Sequence, residues 1–245
     1  MTPIKRLLLI TLLTALWSPS FLFIKLAVHD LPPVTLAAWR VSLAAVLLSS
    51  LLLFKRQPLP RSRSFWAHMS IMAFFTSVLP FCLFSFAEQT IESAVAAILN
   101  GTTPMFTALM AHYLIPSDRL TPQKALGISL SIVGLLFLFL PNIQAGMTAT
   151  VPGMVAATVA SFSYSVSHIY GKKFVMGQQP LVSPTAQLIL SSLYLMPLAL
   201  WIDPPSTLPV PSASAMFGIA GLAVFGTFLA FIVFYKLLEL QEQPE

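Results

Sequence analysis

The chain has 245 residues, of which 57% are hydrophobic and 9% are charged, whereas soluble domains carry about 25% charged residues. The high apolar content excludes a disordered chain, and the continuity of the apolar runs excludes a transmembrane β-barrel, whose strands alternate apolar and polar residues. A single cysteine, Cys82, excludes a disulfide scaffold. We therefore expect an all-α, polytopic membrane protein, whose net charge of +5 reflects basic cytoplasmic loops and no nucleic-acid partner.

Apolar runs broken by proline, glycine and charged residues predict eight membrane-spanning helices. Lys5 and Arg6 before the first run are also typical of a signal peptide, but the run continues through Ile24 without a small-residue cleavage site, so we expect a retained helix. The fifth run is short, which predicts a tilted helix or a thin segment. The expected spans are 7–28, 33–54, 65–87, 93–115, 124–140, 152–171, 181–201 and 214–238.

The positions of lysine and arginine predict the orientation of the helices. All 13 of these residues except Lys25 and Arg40 lie near the chain ends or in the turns after even-numbered spans. The other turns contain neither lysine nor arginine. We therefore expect a multi-pass protein of a bacterial inner membrane, surrounded by lipid, with both termini in the cytoplasm.

The two halves of the chain resemble each other weakly, and such repeats define an architecture. Shifts of 147 and 151 positions align the pairs Trp17–Tyr164, Ser20–Ser167, Lys25–Lys172, Arg40–Gln187, Thr76–Thr227 and Glu88–Glu239. Because the first unit has an odd number of helices, the second would be inverted, as in many secondary transporters. The alignment predicts a five-helix unit over residues 1–141 and an incomplete, three-helix unit over residues 152–245.

The segment that covers residues 15–40, ALWSPSFLFIKLAVHDLPPVTLAAWR, resembles the start of an EamA domain of the drug/metabolite transporter superfamily. That domain has a Trp-small-Ser-Phe segment in its first helix, then a lysine, a proline and, in the second helix, an arginine. The matching residues here are Trp17, Ser20, Phe21, Lys25, Pro33 and Arg40.

Later segments are similar to the same family. The fourth helix contains the family's proline, Pro104, and the fifth contains a small-residue face with Gly127 and Gly134. Ser117 and Asp118 stand where the family has Gly-Glu, which makes Asp118 a candidate for a structural or coupling role. The segment GLAVFGTFLAFIVFYKLLEL looks like the family's eighth helix.

The resemblance covers nearly the whole chain and implies ten helices in two inverted five-helix units that transport small metabolites, amino acids or drugs. The family's ninth and tenth helices have no counterpart after Leu240. Two functions stay open. The first is a permease or exporter of small organic metabolites that works by alternating access, and the second is a truncated, non-transporting or partner-dependent remnant. Substrate, coupling to a proton or ion, and self-association also stay open.

Arg40 is the most informative candidate residue, because it lies roughly 10 Å inside the second helix at 1.5 Å per residue. A charge in hydrocarbon costs at least ~2.5–3.5 kcal/mol. Arg40 is therefore either an anchor for an anion or carboxylate in a central cavity, or a structural arginine that binds backbone carbonyls, Glu88 or Glu92. Lys25 lies near its helix end, where a lysine can extend to the interface.

Glu88 and Glu92 flank the turn between the third and fourth spans. They are candidates to pair with Arg40 and Lys25 or to take up a proton during coupling. For Glu92 there is a simpler alternative, since a carboxylate is favourable at the positive end of a helix dipole.

Asn100 and Thr103 lie beside Pro104 in the fourth span. A proline frees a backbone carbonyl about one turn earlier, and a broken helix near the midplane is where inverted-repeat transporters bind substrate. An ordinary kink, with Ser and Thr hydroxyls bonded back to their own helix, produces the same pattern.

Trp17 and Ser20 in the first span occupy places corresponding to the region of Tyr164 and His168 in the sixth. Aromatic walls with few polar groups suit a small organic ligand, so these four residues are predicted to line one cavity. Packing of small residues between helices is the alternative for Ser20. We expect no metal, no cofactor and no enzymatic activity, because the sequence contains no metal-ligand spacing, nucleophile triad or phosphate loop.

Overall fold

The structure, a computed structural model, describes residues 3–144, 150–175 and 181–242, and in those ranges it is all-helical. This confirms the predicted polytopic bundle. The α-helices are α1 (Pro3–Trp17), α2 (Ser20–Val28), α3 (Pro33–Phe54), α4 (Arg63–Ala73), α5 (Leu79–Ala87), α6 (Ser93–Asn100), α7 (Thr103–Leu114), α8 (Pro122–Gln144), α9 (Thr150–Phe174), α10 (Val182–Ile202), α11 (Ala213–Ala223) and α12 (Ala230–Glu242). The π-helix Phe74–Val78 joins α4 to α5, the π-helix Val224–Leu229 joins α11 to α12, and a 3-10 turn covers Pro205–Thr207.

Within the described ranges these helices form eight consecutive segments, at the places that the apolar runs predict. Seven of the segments are long and apolar enough to cross a membrane, α9 being the exception. One end of the bundle carries Asp30, Glu88 and Asp203, and we call it the Glu88 end. The opposite end, with Lys55 and Lys124, we call the basic end.

α9 is less apolar than the other segments because it directs a row of serines into the bundle. Ser161 Oγ donates to Leu99 O at 2.9 Å, and Ser165 Oγ donates to Thr103 O at 2.9 Å. Ser163 Oγ donates to Phe75 O at 2.8 Å. Since these hydroxyls are bonded to neighbouring helices, α9 can occupy the interior of the bundle in spite of its polar residues.

Prolines break or bend several segments. The first span, predicted as one helix, is divided into α1 and α2 at Ser18 and Pro19. The prediction of a short fifth span is wrong, because α8 has 23 residues and continues through Pro141. At 1.5 Å per residue it is about 35 Å long, which is enough to cross a bilayer.

Segments of the first half of the chain pack against segments of the second half. α3 lies against α10, α5 against α9, and α2 against α11. Gly218 permits the last of these approaches, because a Cβ atom there would lie 2.6 Å from Phe23 O. Small residues at such crossings let helix backbones come close together in membranes.

Candidate functional site

Arg40 lies in α3 and reaches the π-helix Val224–Leu229. Its Nε donates to Thr227 Oγ1 at 2.9 Å, and its Nη2 donates to Gly226 O at 3.2 Å. The guanidinium carbon lies 3.7 Å from the centroid of the Phe81 ring, an arrangement that stabilises a cation. The side chain is 6% exposed, so this charge is held inside the bundle.

The π-helix orients the Thr227 hydroxyl so that its oxygen can accept a hydrogen bond from Arg40. Thr227 Oγ1 donates its single proton to Leu222 O at 2.9 Å, a bond back across the widened turn. The hydroxyl oxygen is therefore left to accept from Arg40. Gly226 is also required, because a Cβ atom there would lie 2.7 Å from Ser20 Oγ and 3.5 Å from Arg40 Nη2.

Arg40 has no carboxylate partner among the described residues. A guanidinium has five N–H donors, and the contacts with Thr227 and Gly226 use two of them. Beside it, Ser20 Oγ is buried without a hydrogen-bond partner in the described part of the chain. An unpaired buried charge is costly, and hydrogen bonds from a guanidinium to an anion are among the stronger ones.

Gln187 of α10 makes a neutral version of the same contact in the other half of the chain. Its Nε2 donates to Ser77 Oγ at 3.3 Å, and its Oε1 accepts from Tyr235 Oη at 2.8 Å. Ser77 lies in the π-helix Phe74–Val78, just as Thr227 lies in the other π-helix. Gln187 is fully buried, so both halves use a polar side chain and a π-helix to join two spans.

Two aromatic pairs lie near these contacts. The Tyr164 and Phe84 rings stack with their centroids 5.9 Å apart, and Trp17 packs on Phe234 at 5.7 Å. The His168 ring is 6.5 Å from the same Phe234 ring. Tyr164 packs against the buried cluster that contains Phe81, the ring beneath Arg40. The predicted cavity residues therefore fall into two groups: Arg40, Ser20 and Tyr164 come together, while Trp17 and His168 meet at Phe234.

Asn100, Thr103 and Pro104 lie at a break in the fourth span, between α6 and α7. The carbonyl of Asn100 accepts from Thr103 Oγ1 at 2.8 Å, and Asn100 Oδ1 is buried without a partner in the described residues. The break is bonded to α9 through Ser161 and Ser165 rather than to Arg40. These residues therefore form a separate polar place beside the Arg40 group.

Lys25, Glu88 and Glu92 lie together at the Glu88 end. Lys25 Nζ donates to Glu88 O and to Ile91 O, each at 2.9 Å, so it binds backbone carbonyls at the end of α5. Glu88 Oε2 accepts from Ser93 Oγ at 2.8 Å. Glu92 is exposed and caps α6 without a side-chain hydrogen bond.

Asp118 joins two segments at the basic end. It forms ion pairs with Lys124 of α8 at 2.5 Å and Lys172 of α9 at 3.0 Å. Its hydrogen bonds with Lys124 and Lys172 hold the pKa of the Asp118 carboxyl below its usual value. Asp118 therefore connects the start of α8 with the end of α9, far along the bundle from the Glu88 end.

Sequence reasoning missed Thr227, Gly226 and Phe81 as partners of Arg40. One signal was available, since the internal alignment places Thr227 on Thr76, next to Ser77 of the other π-helix. In the described residues no group of three or more His, Cys, Asp or Glu side chains comes together as a metal site would require.

The known proteins that this chain resembles are named as transporters. The family model of EamA-like transporters matches residues 4–140 and 151–242. An uncharacterized transporter of Archaeoglobus fulgidus is 26% identical over 238 residues, which are 96% of this chain and 80% of that relative. The uncharacterized inner membrane transporter YedA of Escherichia coli (strain K12) is 22% identical over 224 residues, 91% of this chain and 71% of YedA.

A relative from Salmonella typhimurium, named "Probable amino-acid metabolite efflux pump", is 25% identical over 164 residues, 67% of this chain and 52% of that protein. One crystal structure of another protein superposes with a TM-score of 0.67 and 20% identity. It covers 97% of this chain and 81% of that chain, and it shows the fold alone.

Proposed function

This chain belongs to the EamA-like transporter family, and we propose that it carries small organic metabolites across the membrane by alternating access, with Arg40 as the anchor for an anionic group. The observation that carries the proposal is the buried guanidinium of Arg40, which has no carboxylate partner among the described residues. An arginine held in this way is suited to bind a carboxylate through two parallel hydrogen bonds.

The surroundings of Arg40 indicate the rest of the substrate. Phe81 covers one face of the guanidinium, Tyr164 packs against the cluster that contains Phe81, and Ser20 offers an unused hydroxyl. Apolar walls with few polar groups fit a small organic body. Amino acids combine a carboxylate with such a body, and the name of the Salmonella relative makes them the first compounds to test.

Alternating access requires Arg40 to face each side of the membrane in turn. In the present conformation it is 6% exposed, so a substrate reaches it only after helices separate. The division into units over 1–141 and 152–245, together with the packing of α3 on α10 and α2 on α11, supports rocking of one unit against the other. The basic end supports cytoplasmic termini in a bacterial inner membrane.

The test is transport by the purified full chain in proteoliposomes, with radiolabelled amino acids and their decarboxylated amines as substrates. Arg40→Gln is the sharpest variant, because Gln187 shows that this fold accepts a glutamine in the corresponding contact. We expect Arg40→Gln to lower the transport of a carboxylate at least tenfold, while Arg119→Gln, at an exposed arginine of the basic end, leaves it unchanged. Unchanged transport by a correctly folded Arg40→Gln protein contradicts the role of Arg40.

A further inference from the structure

Glu88 is a fully buried carboxyl at the end of α5, directly after the span Arg63–Ala87. Its Oε2 is bonded to Ser93 Oγ, and its Oε1 has no hydrogen-bond partner among the described residues. No basic side chain in the described part of the chain forms an ion pair with it. A carboxylate buried with one hydrogen bond is unfavourable, and such groups bind a proton instead.

The hydrogen bonds of Ser93 fit the protonated form. Ser93 Oγ lies 2.8 Å from Glu88 Oε2 and 3.2 Å from Phe21 O, but a hydroxyl has one proton to donate. If the Glu88 carboxyl carries a proton, it donates to Ser93 Oγ, and Ser93 donates to Phe21 O, so both contacts are hydrogen bonds at once. If Glu88 is ionised, one of the two contacts is lost.

Burial affects the pKa of the Glu88 carboxyl more than the charged groups around it do. From α2 comes Lys25, whose Nζ donates to the carbonyls of Glu88 and Ile91, and ahead of α6 comes the exposed Glu92. His29, at the end of α2, interacts with Asp30. The facing ends of α3 and α9, residues 33–39 and 150–160, contain no ionisable side chain.

Burial raises the pKa of the Glu88 carboxyl to about 8, against the opposing effects of the Ser93 hydrogen bond and the Lys25 charge. The closed arrangement of the Glu88 end holds the proton more tightly than an open end with a hydrated carboxyl. Its advantage is therefore fully present below the ordinary pKa of a glutamate, is lost progressively as the pH rises from that value to about 8, and changes no further above it.

We propose that Glu88 is a proton-binding site that couples proton movement to opening of the Glu88 end. While this end is closed, the carboxyl is neutral and its proton is shared with Ser93 and Phe21 O. When the end opens, water reaches the carboxyl, the proton passes to that water, and the carboxylate pairs with Lys25, which then releases the carbonyls at the end of α5. The coupling rests on the proposed transport function, whereas proton binding by Glu88 does not.

Infrared difference spectroscopy of the full chain in lipid, recorded as the pH is changed, tests proton binding without any substrate. We expect a carboxylic-acid C=O band that titrates above neutral pH. The band is lost in Glu88→Gln and kept in the matched control Glu92→Gln. A band that persists in Glu88→Gln, or no band above neutral pH in the unaltered protein, overturns the proposal.

Transport then tests the coupling, with radiolabelled amino acids in proteoliposomes under an imposed pH gradient. We expect Glu88→Gln, which copies the neutral carboxyl, to abolish the effect of the gradient and keep exchange of labelled for unlabelled substrate, while Glu92→Gln retains both. Gradient-driven accumulation by Glu88→Gln overturns the coupling. If the band titrates at Glu88 but no carboxylate is transported, the proposed substrate class fails and the proton site stands.

Discussion

Gly226 is the position at which one added methyl group would disturb the Arg40 contact. Glycine inside a helix is destabilising by about 1 kcal/mol relative to alanine, so alanine would be favoured there if space allowed. A Cβ atom at Gly226 would instead lie 2.7 Å from Ser20 Oγ, while the Ser20 Cβ is 3.7 Å away. The obstacle is therefore the hydroxyl of one side chain, which makes the contact testable by a pair of substitutions.

We expect Gly226→Ala to displace Ser20 or the Arg40 guanidinium and to lower carboxylate transport at least fivefold. The double variant Gly226→Ala with Ser20→Ala should transport as well as Ser20→Ala alone, because the serine oxygen that the new Cβ meets is absent. Gly127→Ala is the control, since no atom lies within 4 Å of a Cβ at that position. Equal transport in the single and double variants would show that Gly226 does not determine the geometry around Arg40.

At the scale of elements, α9 shows how a polar helix is held inside a membrane protein. Ser161 and Ser165 bond to carbonyls on both sides of the break between α6 and α7, and Ser163 bonds to Phe75 of the first π-helix. Ser161 and Ser165 each also have a carbonyl of their own helix within reach, Ala157 O at 2.9 Å and Ser161 O at 3.1 Å. These two hydroxyls therefore keep a hydrogen bond in either arrangement, so α9 can exchange partners at Ser161 and Ser165 without leaving them unbonded.

We expect Ser161→Ala and Ser165→Ala each to destabilise the protein by about 0.6 kcal/mol, the average found for hydrogen bonds between membrane helices. Reversible unfolding in mixed detergent and lipid measures this. Ser129→Ala is the matched control, because Ser129 is exposed and donates only to Ala125 O of its own helix. A gain in stability from the two α9 substitutions would mean that hydropathy alone governs this helix.

At the scale of the whole molecule, apolar runs predict the eight segments well because a bilayer imposes a minimum length on each one. The same runs do not show how a proline is accommodated. Pro19 divides the first span and Pro141 leaves α8 continuous, since the outcome depends on whether neighbouring groups bond the carbonyls that a proline frees.

The sequence predicts only one of the two residues that form the central contact of the candidate site. Arg40 stands out in the sequence because a charge inside a span needs a partner. Its partner Thr227 is separated from it by 187 positions and resembles any other threonine of an apolar helix. Glu88 was visible as an acid near a helix end, but its burial and the shared proton of Ser93 depend on how α2, α5 and α6 pack together.

The packing of α3 on α10 gives a direct test of movement between the two halves. The hydroxyls of Ser42 and Ser192 are 2.6 Å apart, so cysteines at these positions are close enough for a disulfide, whose sulfur atoms are about 2.0 Å apart.

In a Cys82→Ser background, we expect oxidation of the Ser42→Cys and Ser192→Cys double variant to stop transport and reductant to restore it, because rocking must change this contact. Mass spectrometry identifies the linked peptides, and each single variant is the control. Full transport by the completely linked protein would show that α3 and α10 move as one body and that access to Arg40 opens elsewhere, between α2 and α11 or between α5 and α9.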